Sequence, residues 1–129
     1  MKTILFVCVH NSGRSQMAEA FFNNQAKGKA RAVSAGTQPA QSVNPLVVEA
    51  MRQAGIDISD KEPRLLTPEM LDTADRVISM GCLDASACPA GMAHAEDWRL
   101  PDPEGRSLPE VILIRDEIKR RITELLAGL

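Results

Sequence analysis

Apolar positions along the chain change their spacing in a regular way. Residues 3–8, Thr3-Ile4-Leu5-Phe6-Val7-Cys8, form a short unbroken run with the character of a strand buried on both faces. A polar turn containing Gly13 follows, and residues 15–25 then read as a helix, with Met17, Ala20, Phe21 and Asn24 recurring along it. Residues 31–34 predict a second strand that stops at Gly36. Asn44-Pro45 is a helix start, because Asn caps free N–H groups and Pro suits the first helical position. That helix runs through Val48 and Met51 to Gly55, a C-terminal stop. Thr67-Pro68-Glu69 repeats the start signal for a short helix. Residues 76–80 predict a third strand and residues 93–97 a weaker fourth. Ser107-Leu108-Pro109-Glu110 is a capping box, and it opens a long last helix with Val111, Ile114, Ile118, Ile122 and Leu125 three or four apart.

Strands alternating with helices predict an α/β fold with a parallel sheet covered by helices on both faces. No linker, repeat or low-complexity tract divides residues 1–129, and 129 residues suit one domain with one core. Ligands of such sheets bind at the carboxyl ends of the strands. Cys8 and Cys82 fall at the predicted ends of the first and third strands.

Composition narrows the possible partners. The net charge of −2 and the absence of Tyr argue against nucleic acid and anionic membranes. The opening apolar run is too short for a membrane span and lacks a cleavage site, so a cytoplasmic protein is expected. Three cysteines are too few for a secreted disulfide scaffold. Met17, Met51 and Met80 fall on core-facing positions, which suits packing better than soft-metal binding.

Cys8-Val9-His10-Asn11-Ser12-Gly13-Arg14-Ser15 links a strand to a helix. Backbone N–H groups in such a loop can form an anion nest, and the helix N-terminus adds free N–H groups and a positive dipole end. Arg14 offers a planar fork for two oxygens of a tetrahedral oxyanion. Cys8 lies in the same positive field, which favours the nucleophilic thiolate. Ser15 is placed to donate to Cys8, and Asn11 to hold the loop shape. The plain alternative is a buried strand cysteine followed by an ordinary turn.

The stretch from Cys8 through Gln16-Met17-Ala18-Glu19 resembles the low-molecular-weight protein tyrosine phosphatase superfamily, and within it the thioredoxin-coupled arsenate reductases. The likeness continues through Ser34-Ala35-Gly36-Thr37, Val43-Asn44-Pro45, Met80-Gly81-Cys82, Asp102-Pro103 and Arg115-Asp116-Glu117-Ile118. It implies a four-stranded parallel sheet and roles for Cys8 as nucleophile, Arg14 as oxyanion ligand, Asp102 as general acid, and Cys82 and Cys88 as a redox pair. Arsenate would be the substrate, phosphate or sulfate would mimic it, and thioredoxin or an equivalent dithiol would regenerate the enzyme. No cofactor is expected, and the protein is expected to act as a monomer.

In some members an alkali cation supports the loop. The matching positions here are Asn11, Glu19 and Ser34, together with Arg64 where an acidic residue would be needed. No metal site is therefore expected, with Arg64 pairing with Glu19 instead. Two rivals stand beside the reductase. A phosphatase of the same fold would need only Cys8 and no reductant, although Glu104 and Gly105 follow Asp102-Pro103 where the phosphatase branch carries tyrosines. A metal or metalloid-binding protein would use Cys82, Cys88 and a histidine, His10 or His94, but zinc sites prefer closer cysteine pairs.

Overall fold

A computed structural model describes residues 1–81 and 96–129. The elements run β1 (Lys2–Cys8), α1 (Arg14–Ala26), β2 (Ala30–Gly36), α2 (Pro45–Gln53), α3 (Pro68–Thr73), β3 (Arg76–Ser79), β4 (Glu96–Asp97) and α4 (Leu108–Ala127). The four strands form one sheet in the order β2-β1-β3-β4, and every pairing is parallel.

Alternation along β1 divides the core. Ile4, Phe6 and Cys8 face the layer made by α1, α2 and α4, while Leu5 and Val7 face Leu66, Met70 and Leu71 around α3. The sheet is thus covered on both faces, as the strand–helix alternation predicts. Phe6 anchors the larger side, with its ring edge-on to Phe22 at 6.1 Å and tilted against Trp98 at 5.8 Å. Met17, Met51 and Met80 are fully buried in the same cluster, as expected of packing residues.

The predicted caps form. Asn44 Oδ1 accepts from Leu46 N, Thr67 Oγ1 from Met70 N, and Ser107 and Glu110 close a full capping box at α4. In α1 the observed face differs from the periodic reading. Residues 14–19 are all buried, Phe21 and Phe22 carry the later contacts, and Asn24 is exposed. The first turns of α1 are enclosed on every side by the sheet end and its loops, so no single stripe marks them. The fourth strand is confined to Glu96–Asp97 within the described residues.

The chain leaves β1 for β2 on one side, then crosses to β3 on the other. The carboxyl end of β1, where Cys8 stands, is therefore the switch point at which this architecture opens a crevice. No helix of the described residues is long and apolar enough to cross a membrane.

Candidate active site

The loop from Cys8 to Gly13 is shaped by its carbonyls. Those of Cys8, Val9, His10 and Ser12 accept from Thr37 N, Gln38 N, Ala40 N and Asn44 N. Every peptide here is trans, so each following N–H points the opposite way from its carbonyl. The N–H groups of Val9, His10, Asn11 and Gly13 are thereby turned away from the segment joining β2 to α2, and that of Asn11 reaches Cys8 Sγ. The segment joining β2 to α2 thus holds the loop open as an anion nest.

Asn11 is the pivot. It is fully buried and adopts a left-handed conformation, φ 49°. Its Oδ1 accepts from Arg64 N at 2.8 Å and from Gln16 Nε2 at 3.1 Å, which fixes the orientation of the side-chain amide. The Nδ2 end then faces Ser15 and donates to its Oγ at 2.6 Å. Ser15 Oγ also lies 2.8 Å from Cys8 Sγ, a hydrogen bond in which either group can donate. Asn11 N donates to the same sulfur at 3.2 Å. Cys8, 2% exposed at the end of β1, thus makes two hydrogen bonds through its sulfur, one of them from a main-chain N–H.

Arg14 opens α1 and is buried, and among the described residues the carboxylate it meets is Asp102, at the outer limit of an ion pair. Nη1 donates to Met80 O at 2.8 Å and to Leu100 O at 2.9 Å, and Nη2 stands 3.9 Å from Asp102 Oδ2. Asp102 is brought over the loop by close packing. Pro103 lies against Gly13 so tightly that a Cβ there would fall 2.6 Å from Pro103 Cγ. Glu104 N donates to Asp102 Oδ1, and Arg106 Nε to Asp102 O. His10 lies on the rim, with Nδ1 3.8 Å from Glu104 Oε2. Among the described residues His10, Asp102 and Glu104 are a group whose ligand atoms lie within 4.8 Å of one another.

The predicted residues at positions 8–15, Asp102 and Glu19 thus come together at one end of the sheet, with Ser34 buried in β2. Cys82, Cys88 and His94 lie outside the described residues. Glu19 is 5% exposed, and burial pushes its carboxyl above the usual range, against the pull of Arg64 and Lys61. Arg64 Nη1 stands 3.7 Å from Glu19 Oε1. A coordinated alkali cation does not fit these residues. Asn11 Oδ1 already accepts two donors, and a guanidinium faces the Glu19 carboxylate.

Sequence reasoning missed Gln16. Its Nε2 reaches Asn11 O, Asn11 Oδ1 and Glu62 O, all at 3.1–3.2 Å, joining the loop to the strip before α3. Only its place in the Cys8–Glu19 stretch of resemblance could have drawn attention to it.

The family model described as low molecular weight phosphotyrosine protein phosphatase matches residues 3–129. The chain belongs to this family. Within it, an arsenate reductase of Brevibacillus brevis is 40% identical over 123 residues, which span 94% of this chain and 91% of that protein. A solved arsenate reductase in its phosphate-binding state superposes with a TM-score of 0.88 at 36% identity, covering 99% of this chain and 98% of that one. The thioredoxin-dependent arsenate reductase of Corynebacterium glutamicum gives 0.80 at 39% identity, over 99% of this chain and 61% of that one. The family's four-stranded parallel sheet is the one described above.

Proposed function

We propose that this low molecular weight phosphatase family member is an arsenate reductase that works by a three-cysteine relay. The observation that carries oxyanion chemistry is the pair of hydrogen bonds on Cys8 Sγ, at the base of a loop whose carbonyls are tied back to the segment joining β2 to α2. Reduction rather than hydrolysis is favoured by two further thiols in the sequence and by relatives named as arsenate reductases.

In this scheme arsenate sits in the loop against Arg14, and the Cys8 thiolate attacks arsenic. An As–O bond breaks, and Asp102 supplies a proton to the departing oxygen. Cys82 then attacks Cys8 Sγ. The electron pair of the S–As bond remains on arsenic, which leaves as arsenite, and a Cys8–Cys82 disulfide forms. Cys88 attacks Cys82, releasing the Cys8 thiolate and leaving a Cys82–Cys88 disulfide. Thioredoxin, or another dithiol protein, supplies the two electrons that reopen it. Arg64 carries the positive charge beside Glu19, so no alkali ion is required. The reducing cytoplasm suits a cycle that begins with three free thiols, and one chain holds every residue the scheme uses.

Arsenate-dependent oxidation of thioredoxin, compared across wild type, Cys82→Ser and Cys88→Ser, tests the proposal. Cys88→Ser should complete one turnover and then stop, and Cys82→Ser should release no arsenite. Unimpaired cycling by Cys88→Ser defeats the relay. Hydrolysis of an aryl phosphate without reductant, undiminished in Cys82→Ser and with no arsenate reduction, would establish the phosphatase instead.

A further inference from the structure

The two carbonyls that hold Arg14 Nη1 belong to Met80 and Leu100, far from Arg14 in sequence. Gly81 lies against this junction. Its φ is 123°, and a Cβ there would overlap Arg14 Nη1 and stand 3.0 Å from Leu100 O. Such a backbone conformation already disfavours an L side chain. The overlap adds a separate requirement, since any side chain at position 81 must push the guanidinium away from its two acceptors.

We propose that Gly81 is a positioning residue for Arg14, whose missing side chain makes room for the guanidinium in its carbonyl socket. The guanidinium is planar and its five donors are fixed in relation to one another. Holding Nη1 on two carbonyls therefore sets the direction of the remaining donors before any anion arrives. The inference rests on the reading of Arg14 as an oxyanion ligand and adds the residue that aims it.

Three other glycines supply a control, because positive φ and contact with Arg14 can be separated. Gly28, Gly55 and Gly105 have φ of 86°, 88° and 74°, and a Cβ on any of them would meet nothing within 4 Å. Substitution there strains the backbone and leaves Arg14 alone.

The probe is inorganic phosphate, titrated into wild type, Gly81→Ala, Gly55→Ala and Arg14→Ala. Gly81→Ala should bind phosphate about tenfold more weakly or worse, the loss expected when a charged donor is misaligned. Gly55→Ala should stay within about twofold while losing thermal stability through backbone strain. Phosphate binding by Gly81→Ala equal to wild type overturns the inference. Unchanged binding by Arg14→Ala overturns the reading beneath it, whatever Gly81→Ala does. Thermal unfolding of the double variant covers the case in which Gly81→Ala folds poorly. With Arg14 cut to Ala the overlap is gone, so Gly81→Ala should lower Tm less in that background than in wild type. An equal loss in both backgrounds also overturns it.

Discussion

Arg14 and Arg120 both commit their guanidinium groups, in opposite settings. Arg14 is 7% exposed and donates to two main-chain carbonyls, with Asp102 as a looser ionic partner at 3.9 Å. Arg120, its side chain 56% exposed, donates to Glu117 and Glu124 on the outer face of α4, and Arg121 adds a third arm to Glu117. The outer cluster spends its charges on one another in a medium that screens them. The inner one is fixed chiefly by neutral main-chain dipoles, with its carboxylate partner farther off. Shorter and more numerous ion pairs thus mark the less consequential region. In the interior each hydrogen bond has no replacement from water, so single deletions spread.

Removing Gln16 tests that contrast most severely. Gln16→Met keeps the volume and deletes all three donations from Nε2. Asn11 O and Glu62 O lose a donor, and the left-handed Asn11 loses one of the two groups fixing its amide. We expect stability to fall by about 1–3 kcal/mol, the cost of stranding buried acceptors. We also expect kcat/KM for arsenate to fall about tenfold or more, because Asn11 carries both the backbone and the Ser15 connections to Cys8. Steady-state kinetics together with denaturant unfolding measure the two losses. A variant with wild-type kcat/KM would show that the interior network is no more tightly coupled than the α4 surface.

Much of this site was legible in the sequence because its chemistry is local. Residues 8–15 run from strand end through loop to helix start, and their spacing alone predicts a cradle with a nucleophile at its base. Ser15 and Asn11 stand close to Cys8 in the sequence as well as in space. What escaped was contributed from a distance by backbone atoms. Arg64 N, Glu62 O, Met80 O and Leu100 O have no side-chain signature, since any residue supplies the same group. Gln16 is illegible for a related reason, as a lone amide on a helix implies no particular partner. The outer fold was read through its caps and apolar runs. The start of α1 resisted because it is buried all round, which erases the amphipathic stripe on which such readings depend.

Arg64 lies between the two regimes. Its side chain is 47% exposed, yet it faces a buried carboxylate. Glu19 is held above its usual range by burial, so the folded state loses stability as pH rises from the unfolded value of 4.5 toward the raised folded value. Arg64 restrains that loss. Arg64→Ala should push the folded value higher still and lengthen the window over which stability drains away. Its stability deficit should be small at pH 4, where Glu19 is mostly protonated in both states, and larger at pH 8, by about 1 kcal/mol after solvent screening. Thermal unfolding at the two pH values decides the matter, and equal deficits would remove Arg64 from the account of Glu19. Arsenate reduction by wild type should also run equally fast in potassium and choline chloride at one ionic strength.

The smallest effect is expected where the ion pairs are most numerous. Glu117 accepts from Arg120 and Arg121, and these hydrogen bonds hold its carboxyl down at about 2, below the ordinary 4.5. A depressed folded value means that the contribution is complete above 4.5 and is lost as pH falls toward 2. Taken at face value the shift implies a sizeable stabilisation, but Glu117 is 35% exposed and its partners are more exposed than Arg14. Screening and the entropy of ordering long side chains reduce the net to about 0.5 kcal/mol. Glu117→Gln should therefore lower Tm slightly at pH 7, and the difference should shrink below pH 3 and in about 1 M salt, where charges are screened within roughly 3 Å. Arsenate turnover should not change, because the side-chain hydrogen bonds of Glu117 run to Arg120 and Arg121 on α4, away from the Arg106–Glu110 pair that joins this helix to the Asp102 loop. A loss approaching that of Gln16→Met, insensitive to salt, would mean that the outer cluster is held as rigidly as the inner one and that exposure does not separate them.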